Sequence, residues 1–360
     1  MSASTESDRG GDDMDASEST TPSGPDRRTR LLVAGGVVAA LVAGVVVWLS
    51  TRSAEPATPE VSTLSGGDGG GEPVYERLAD PDRTMLRDTA GAVLAVFTDE
   101  ARTAVITGPR RTFAEPEATA ATVTTTSWVR LLPRPWAEGA EHADWFEQWW
   151  ATARDDTSPD VLQVATEYLI GAPDARDEAG VRYRGDASFG PVKPTGVGRQ
   201  EQSDFYDYLG VPWEFPDGPS EQPDKSRYGS VDCSGYVRLV FGYRLGMPLL
   251  GTNTQGQGIP RRAYAISEFG PGVALVRNQF RRATEYSRLQ PGDLVFFEVE
   301  DDPQTLDHVG IYLGLDDRGH HRFVSSRERI NGPTLGDVAG TSLLDDGGHY
   351  STAWRSARRL

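Results

Sequence analysis

The chain has 360 residues, with 53 acidic against 36 basic side chains and a formal net charge of −17. A surface this acidic repels nucleic acid and anionic lipid headgroups, which excludes both as main partners. The length allows two globular units with extensions, and a single cysteine, Cys233, excludes an internal disulfide.

Residues 1–30 are mostly Ser, Thr, Gly and acidic side chains, a composition that cannot offset the entropy of ordering, and read as a disordered cytoplasmic tail. Residues 31–50 carry no charge, and 20 residues in a helix rising about 1.5 Å each just span a hydrocarbon core of roughly 30 Å. Arg27, Arg28 and Arg30 precede this stretch and only Arg52 closely follows it. The positive-inside rule therefore predicts a single-pass membrane helix with the N-terminus cytoplasmic and everything downstream outside. A cleaved signal peptide is the competing reading, but its apolar region would be shorter and its leader briefer. Residues 51–76, rich in Gly, Ser and Pro, read as a flexible linker.

Residues 77–200 read as a small mixed or β domain. Residues 92–97 and 104–107 suit the strands of a hairpin, and residues 122–132 are rich in β-branched and aromatic side chains before Pro133 and Pro135. The run from Trp145 to Trp150 places aromatics at helical spacing, which suits a core stripe better than a sugar-stacking platform. A helix follows with Ser158 as cap, Val161, Leu162, Ala165, Tyr168 and Leu169 on one face, and Gly171 as stop. The short strands resemble those of bacterial SH3-like domains, so a wall-binding role is one expectation for this region. No internal repeat, metal-ligand cluster or cofactor motif is found, and no cofactor is expected.

The chemistry is expected in residues 201–360. Cys233 opens a helix in which Tyr236, Val237, Val240 and Phe241 recur at spacings of three and four, with Asp232 as N-cap and Gly246 and Pro248 as stop. A thiol in a first helical turn meets unpaired N–H groups and the positive end of the dipole, both favouring thiolate, while Asp232 beside it opposes ionisation. A lone thiol exposed to oxidising surroundings is a hazard unless it has work to do. Gln290, Pro291, Gly292 and Asp293 form a turn into an apolar strand over residues 294–299. The next strand alternates His308, Gly310 and Tyr312 with Val309, Ile311 and Leu313, and residues 322–326 and 354–360 supply further strands. Of five histidines only His308 has a defined facing, and an imidazole that meets a thiol in space can take its proton and later hand it to a leaving amine.

The motifs DCSGYV, PGDLVFF and DHVGIYLG, in this order, resemble the NlpC family of bacterial cell-wall cysteine peptidases over roughly residues 204–360. The resemblance implies an α+β, papain-like catalytic domain with its Cys helix packed on an antiparallel sheet. It implies Cys233 as nucleophile, His308 as general base, and peptidoglycan stem peptides as substrate, cut between D-glutamate and a diamino acid. The third polar residue, usually His, Asn or Gln, falls on Ser325 in RFVSSR, with His320 or His321 as substitutes if their loop folds back. The usual Tyr and Gly-Gly stretch ahead of the Cys is replaced, leaving Trp213 and Tyr228 to shape a substrate pocket. Asp232, Ser234 and Arg327 are the further substrate-binding candidates, and Arg261 and Arg262 could also meet substrate carboxylates. Two other readings stay open: an inactive wall-binding scaffold, and an amidase or acyl transferase of the same fold.

Overall fold

The computed structural model describes residues 73–218, 220–300 and 305–360. The expected membrane helix at residues 31–50, the tail and most of the linker lie outside these. No helix among the described residues is long and apolar enough to cross a membrane. The expected linker ends earlier than residue 76, because Val74 already opens the first strand.

Strands β1 (Val74–Leu78), β2 (Arg83–Arg87), β3 (Val93–Thr98), β4 (Thr103–Ala114) and β5 (Thr122–Leu131) form an antiparallel meander in sequence order. The β3/β4 hairpin pairs Ala95 with Ile106 and Phe97 with Ala104. The sheet's buried face is covered by helix α1 (Asp144–Ala153), whose Phe146 enters a cluster with Phe97 and Trp136. Phe97 stacks on Trp136 at 4.3 Å between ring centroids, and Trp149 donates its indole N–H to the Leu131 carbonyl. The aromatic run at residues 145–150 thus builds core. Helix α2 (Val161–Thr166) is capped by Asp160, not Ser158: the Asp160 carboxylate accepts from the Gln163 N–H at 3.0 Å and is fixed by Arg111 and the Val129 N–H.

Two short ribbons, β6 (Ala175–Arg176) with β7 (Arg182–Arg184) and β8 (Trp213–Glu214) with β9 (Ser220–Glu221), flank helix α3 (Phe205–Leu209). Helix α4 is α-helical over Cys233–Val237 and π-helical over Arg238–Arg244, a geometry frequent at functional sites. Every residue from Cys233 to Gly242 is buried, so this helix is enclosed on all sides. After helix α5 (Ala263–Phe269) comes a mainly antiparallel sheet of β10 (Val273–Val276), β11 (Leu294–Phe297), β12 (His308–Leu315), β13 (His321–Arg327), β14 (Gly332–Thr334) and β15 (Trp354–Arg359), with helix α6 (His349–Ala353) before the last strand. Its order is β10-β15-β11-β12-β13-β14.

The pleat sorts this sheet into two faces. Leu294, Phe296, Val309, Ile311, Leu313 and Val324 share a core with Val237, Val240 and Phe241 of α4 and with Val161, Leu162 and Ala165 of α2. Val295, Phe297, Tyr312, Phe323 and Trp354 face the other way and pack with Tyr350 of α6. Residues 161–169 thus join the core behind Cys233, and the Tyr236 hydroxyl donates to the Ala165 carbonyl at 2.6 Å. The connection after β4 also grips the second sheet. Glu115, 4% exposed, accepts from the Thr334 hydroxyl and the Leu335 N–H, both at 2.8 Å. All described residues fall in one compact unit.

Candidate active site

Cys233 stands at the first position of α4, where Asp232 caps the helix by accepting from the Gly235 N–H at 2.8 Å. The cap is itself held: Arg261 donates to both Asp232 oxygens (3.2 and 2.7 Å), and the Gln202 N–H donates to Oδ2 at 2.9 Å. Burial alone would raise the Asp232 pKa, but the Arg261 guanidinium and the N–H donors bring it below the usual value. Behind it the pairing continues, Arg261 with Asp204 at 3.3 Å and Asp204 with Arg238 at 3.0 Å, the last two wholly buried. Two acids and two bases cancel, which is the condition for burying charge beside a helix N-terminus. Arg261 also donates to the Ser234 hydroxyl at 2.8 Å. Arg261, Asp232 and Ser234 are thereby committed to one another.

His308 begins β12, pairs with Phe297 of β11, and is 7% exposed. Its Nε2 is 3.0 Å from the Ser325 hydroxyl on β13, and Ser325 is fully buried. Ser325 also accepts from Arg327 Nε at 3.0 Å. Because Nε2 is engaged, Nδ1 is the ring nitrogen left for another partner. Burial pushes the His308 pKa down to about 3, and the Arg327 and His349 charges push in the same direction. The imidazole is therefore neutral at physiological pH. Cys233 moves the other way: burial, then the Asp232 anion, raise its pKa well above that of a free thiol. Its hydrogen bond goes to the Asp307 carbonyl at 3.6 Å, not to the imidazole. The resting pair is a neutral thiol and a neutral imidazole.

A cavity of about 470 Å³ is lined by both Cys233 and His308, together with Glu201, Arg327, Arg329 and Tyr350. A second hollow of about 260 Å³ also contains Cys233 and is lined by Ser234, Asp232 and Arg262. The two hollows share Cys233, Glu201 and Asp307 in their linings. Trp213 and Tyr228 line neither hollow. Trp213 packs edge-on against Phe205, and Tyr228 is 48% exposed beside Gly210. His321 bonds the Tyr312 hydroxyl through Nδ1 at 2.7 Å, and His320 meets Asp345 at 3.3 Å, so neither replaces Ser325 at His308. Arg327 is 2% exposed, with its remaining donors on the Gly340 carbonyl and the Ser342 hydroxyl.

Sequence reasoning missed three parts of this site. Asp204 and Arg238 carry no pattern linking them, since 34 residues separate partners that only packing brings together. Glu201 has no motif around it. Tyr350 lies in DDGGHYSTAW, where no periodicity marks it as facing a cavity.

A cysteine heading a buried helix, and a histidine on the adjoining antiparallel sheet held by a hydroxyl, make an arrangement of the kind used in nucleophilic acyl transfer. The comparisons agree with that class: residues 211–337 match the model of the NlpC/P60 family, which in general comprises cell-wall peptidases. A solved structure described as similar to lipoprotein, NLP/P60 family, from Staphylococcus aureus is 18% identical, covering 62% of this chain and 54% of its own, with a TM-score of 0.25. The chain thus spans about half the length of that protein, and a likeness of this degree carries nothing further. Among curated proteins the comparison finds no match.

Proposed function

We propose that the chain is a cysteine peptidase of peptidoglycan stem peptides, anchored by residues 31–50 with its catalytic domain, residues 201–360, papain-like and facing the wall. The observation that carries the reading is that His308, whose Nε2 is held by Ser325, lines one cavity with Cys233, the only cysteine of the chain. In this reading Nδ1 takes the Sγ proton as sulfur attacks the peptide carbonyl, forming a C–S bond. The carbonyl electrons move to oxygen. As the tetrahedral species collapses, the C–N bond breaks, the leaving amine takes the proton from His308, and a thioester remains. Water, deprotonated by the same nitrogen, then releases the acid and the thiol.

Two hollows that share Cys233 in their linings suit a substrate that continues past the scissile bond. This favours an endopeptidase, and the family resemblance favours the bond between D-glutamate and a diamino acid. Ser325 serves as the orienting residue of the pair. With both groups neutral at rest, the thiol ionises only when a substrate displaces its bond to the Asp307 carbonyl, and activation is coupled to binding.

The test is mass spectrometry of muropeptides incubated with the chain from residue 53 onward, beside its Cys233→Ala form. New fragments that depend on Cys233 are expected, and their masses identify the bond. The neutral resting pair equally suits a scaffold that binds the wall without cutting it. Binding of wall fragments with no Cys233-dependent product would replace the peptidase reading with that one.

A further inference from the structure

Four tyrosines at the centre of the molecule each have a hydrogen-bond partner. Tyr168, Tyr208 and Tyr236 donate to the carbonyls of Tyr183, Gly185 and Ala165, and the Tyr312 hydroxyl meets His321 Nδ1. This is the ordinary condition of a buried phenol. Tyr350 departs from it. The residue is only 7% exposed, yet no hydrogen bond between described residues involves its hydroxyl, and that hydroxyl is not among the enclosed polar atoms that lack a partner.

The ring is enclosed by fitted neighbours. The Arg327 guanidinium carbon lies 4.2 Å from its centroid, and the rings of His308, Phe297 and Phe323 each lie at 5.4 Å. Gly340, at φ +107°, closes the edge, since a Cβ there would come within 3.0 Å of Tyr350 Cε2. What remains is the hydroxyl, and Tyr350 lines the same cavity as Cys233 and His308. Burial raises the phenol pKa despite Arg327, so the group stays protonated and can only donate to an anion. The cation against the ring face draws electron density from it and strengthens that donation.

Resting on the peptidase reading, we propose that Tyr350 is a further catalytic residue, whose hydroxyl donates a hydrogen bond to the oxygen of the carbonyl that Cys233 attacks. The phenolic proton stays on Tyr350 throughout. The oxygen accepts the bond as the C–S bond forms and the carbonyl electrons shift onto it, and releases it when the C–N bond breaks and His308 protonates the amine. Tyr350 lies beyond residues 211–337, so the residue is a property of this chain and not of the matched stretch.

Tyr350→Phe keeps the ring and removes only the hydroxyl. With the muropeptide product as readout, kcat falls about 10²-fold while KM changes little, the range for loss of one oxyanion donor. A peptide aldehyde, which forms a tetrahedral adduct with the thiol, weakens by the same factor. Unchanged kcat in a folded Tyr350→Phe protein overturns the proposal, as does a rise in KM alone. A 3-fluorotyrosine at position 350, which lowers the phenol pKa with the ring intact, is expected to move the alkaline limb of kcat downward. An unmoved limb also counts against it. Absence of turnover in the unmodified protein instead sinks the peptidase reading and this inference with it.

Discussion

Acid should weaken this protein through one imidazole. His308 has a pKa of about 3 in the folded chain against 6.5 for an ordinary histidine. Between those values the unfolded chain holds the proton and the folded chain does not. Stability therefore rises with pH across the window: it is fully present above 6.5 and is lost as pH falls toward 3. Each tenfold in proton affinity is worth about 1.36 kcal/mol, so His308 alone removes about 3 kcal/mol between about pH 7 and pH 4. Its neighbours set the sign. Arg327 and His349 disfavour the imidazolium, Asp232 partly offsets them, and burial outweighs all three. The assay is urea unfolding of the described region at several pH values, with His308→Gln as the reference that keeps a partner for Ser325 but cannot titrate. Carboxylates weaken both proteins in acid, so the quantity to read is the difference between them. That difference should shrink or reverse by about 3 kcal/mol from about pH 7 to pH 4. Parallel loss in the two proteins would refute the reasoning, because it would mean that His308 is protonated as easily in the folded chain as in the unfolded one.

Two further outcomes follow from the same contacts. Ser325→Ala leaves His308 Nε2 and Arg327 Nε without their shared acceptor, so kcat for muropeptide cleavage should fall about 10²-fold, the lower range for general acid–base catalysis. Asp204→Asn strips the carboxylate from the wholly buried Arg238 and from Arg261, so denaturant unfolding should show a loss of about 3–5 kcal/mol.

The parts of this architecture that follow a local rule could be read in the chain. The alternation through His308 placed Val309, Ile311 and Leu313 on one face, and those three share a core with the Cys helix. The Asp232 cap and the β3/β4 hairpin likewise follow from short-range pattern. What could not be read depends on packing between distant segments. Helix α2 reads as part of a separate small domain, yet its apolar residues share one core with Phe113, Val123 and Val129 of the first sheet and with Val237, Val240 and Phe241 of the Cys helix. Ser158 looked like a cap by residue type alone, but the carboxylate that Arg111 fixes is two positions on. Trp213 and Tyr228 stand in the stretch where the resemblance puts a pocket-shaping Tyr, whereas Tyr350 lines the cavity from a segment more than a hundred residues after the thiol.

The strand order of the second sheet carries a consequence for how the protein comes into being. Strand β15, from the last seven residues of the chain, lies between β10 and β11, which are not bonded to each other without it. Synthesis supplies the middle of the sheet after its flanks. Until residue 359 has emerged, β11 has one open edge and the cleft wall that bears His308 rests on an incomplete support. The pairings of β15 with β10 and β11 are long-range, the kind that loop-closure entropy makes slow to form.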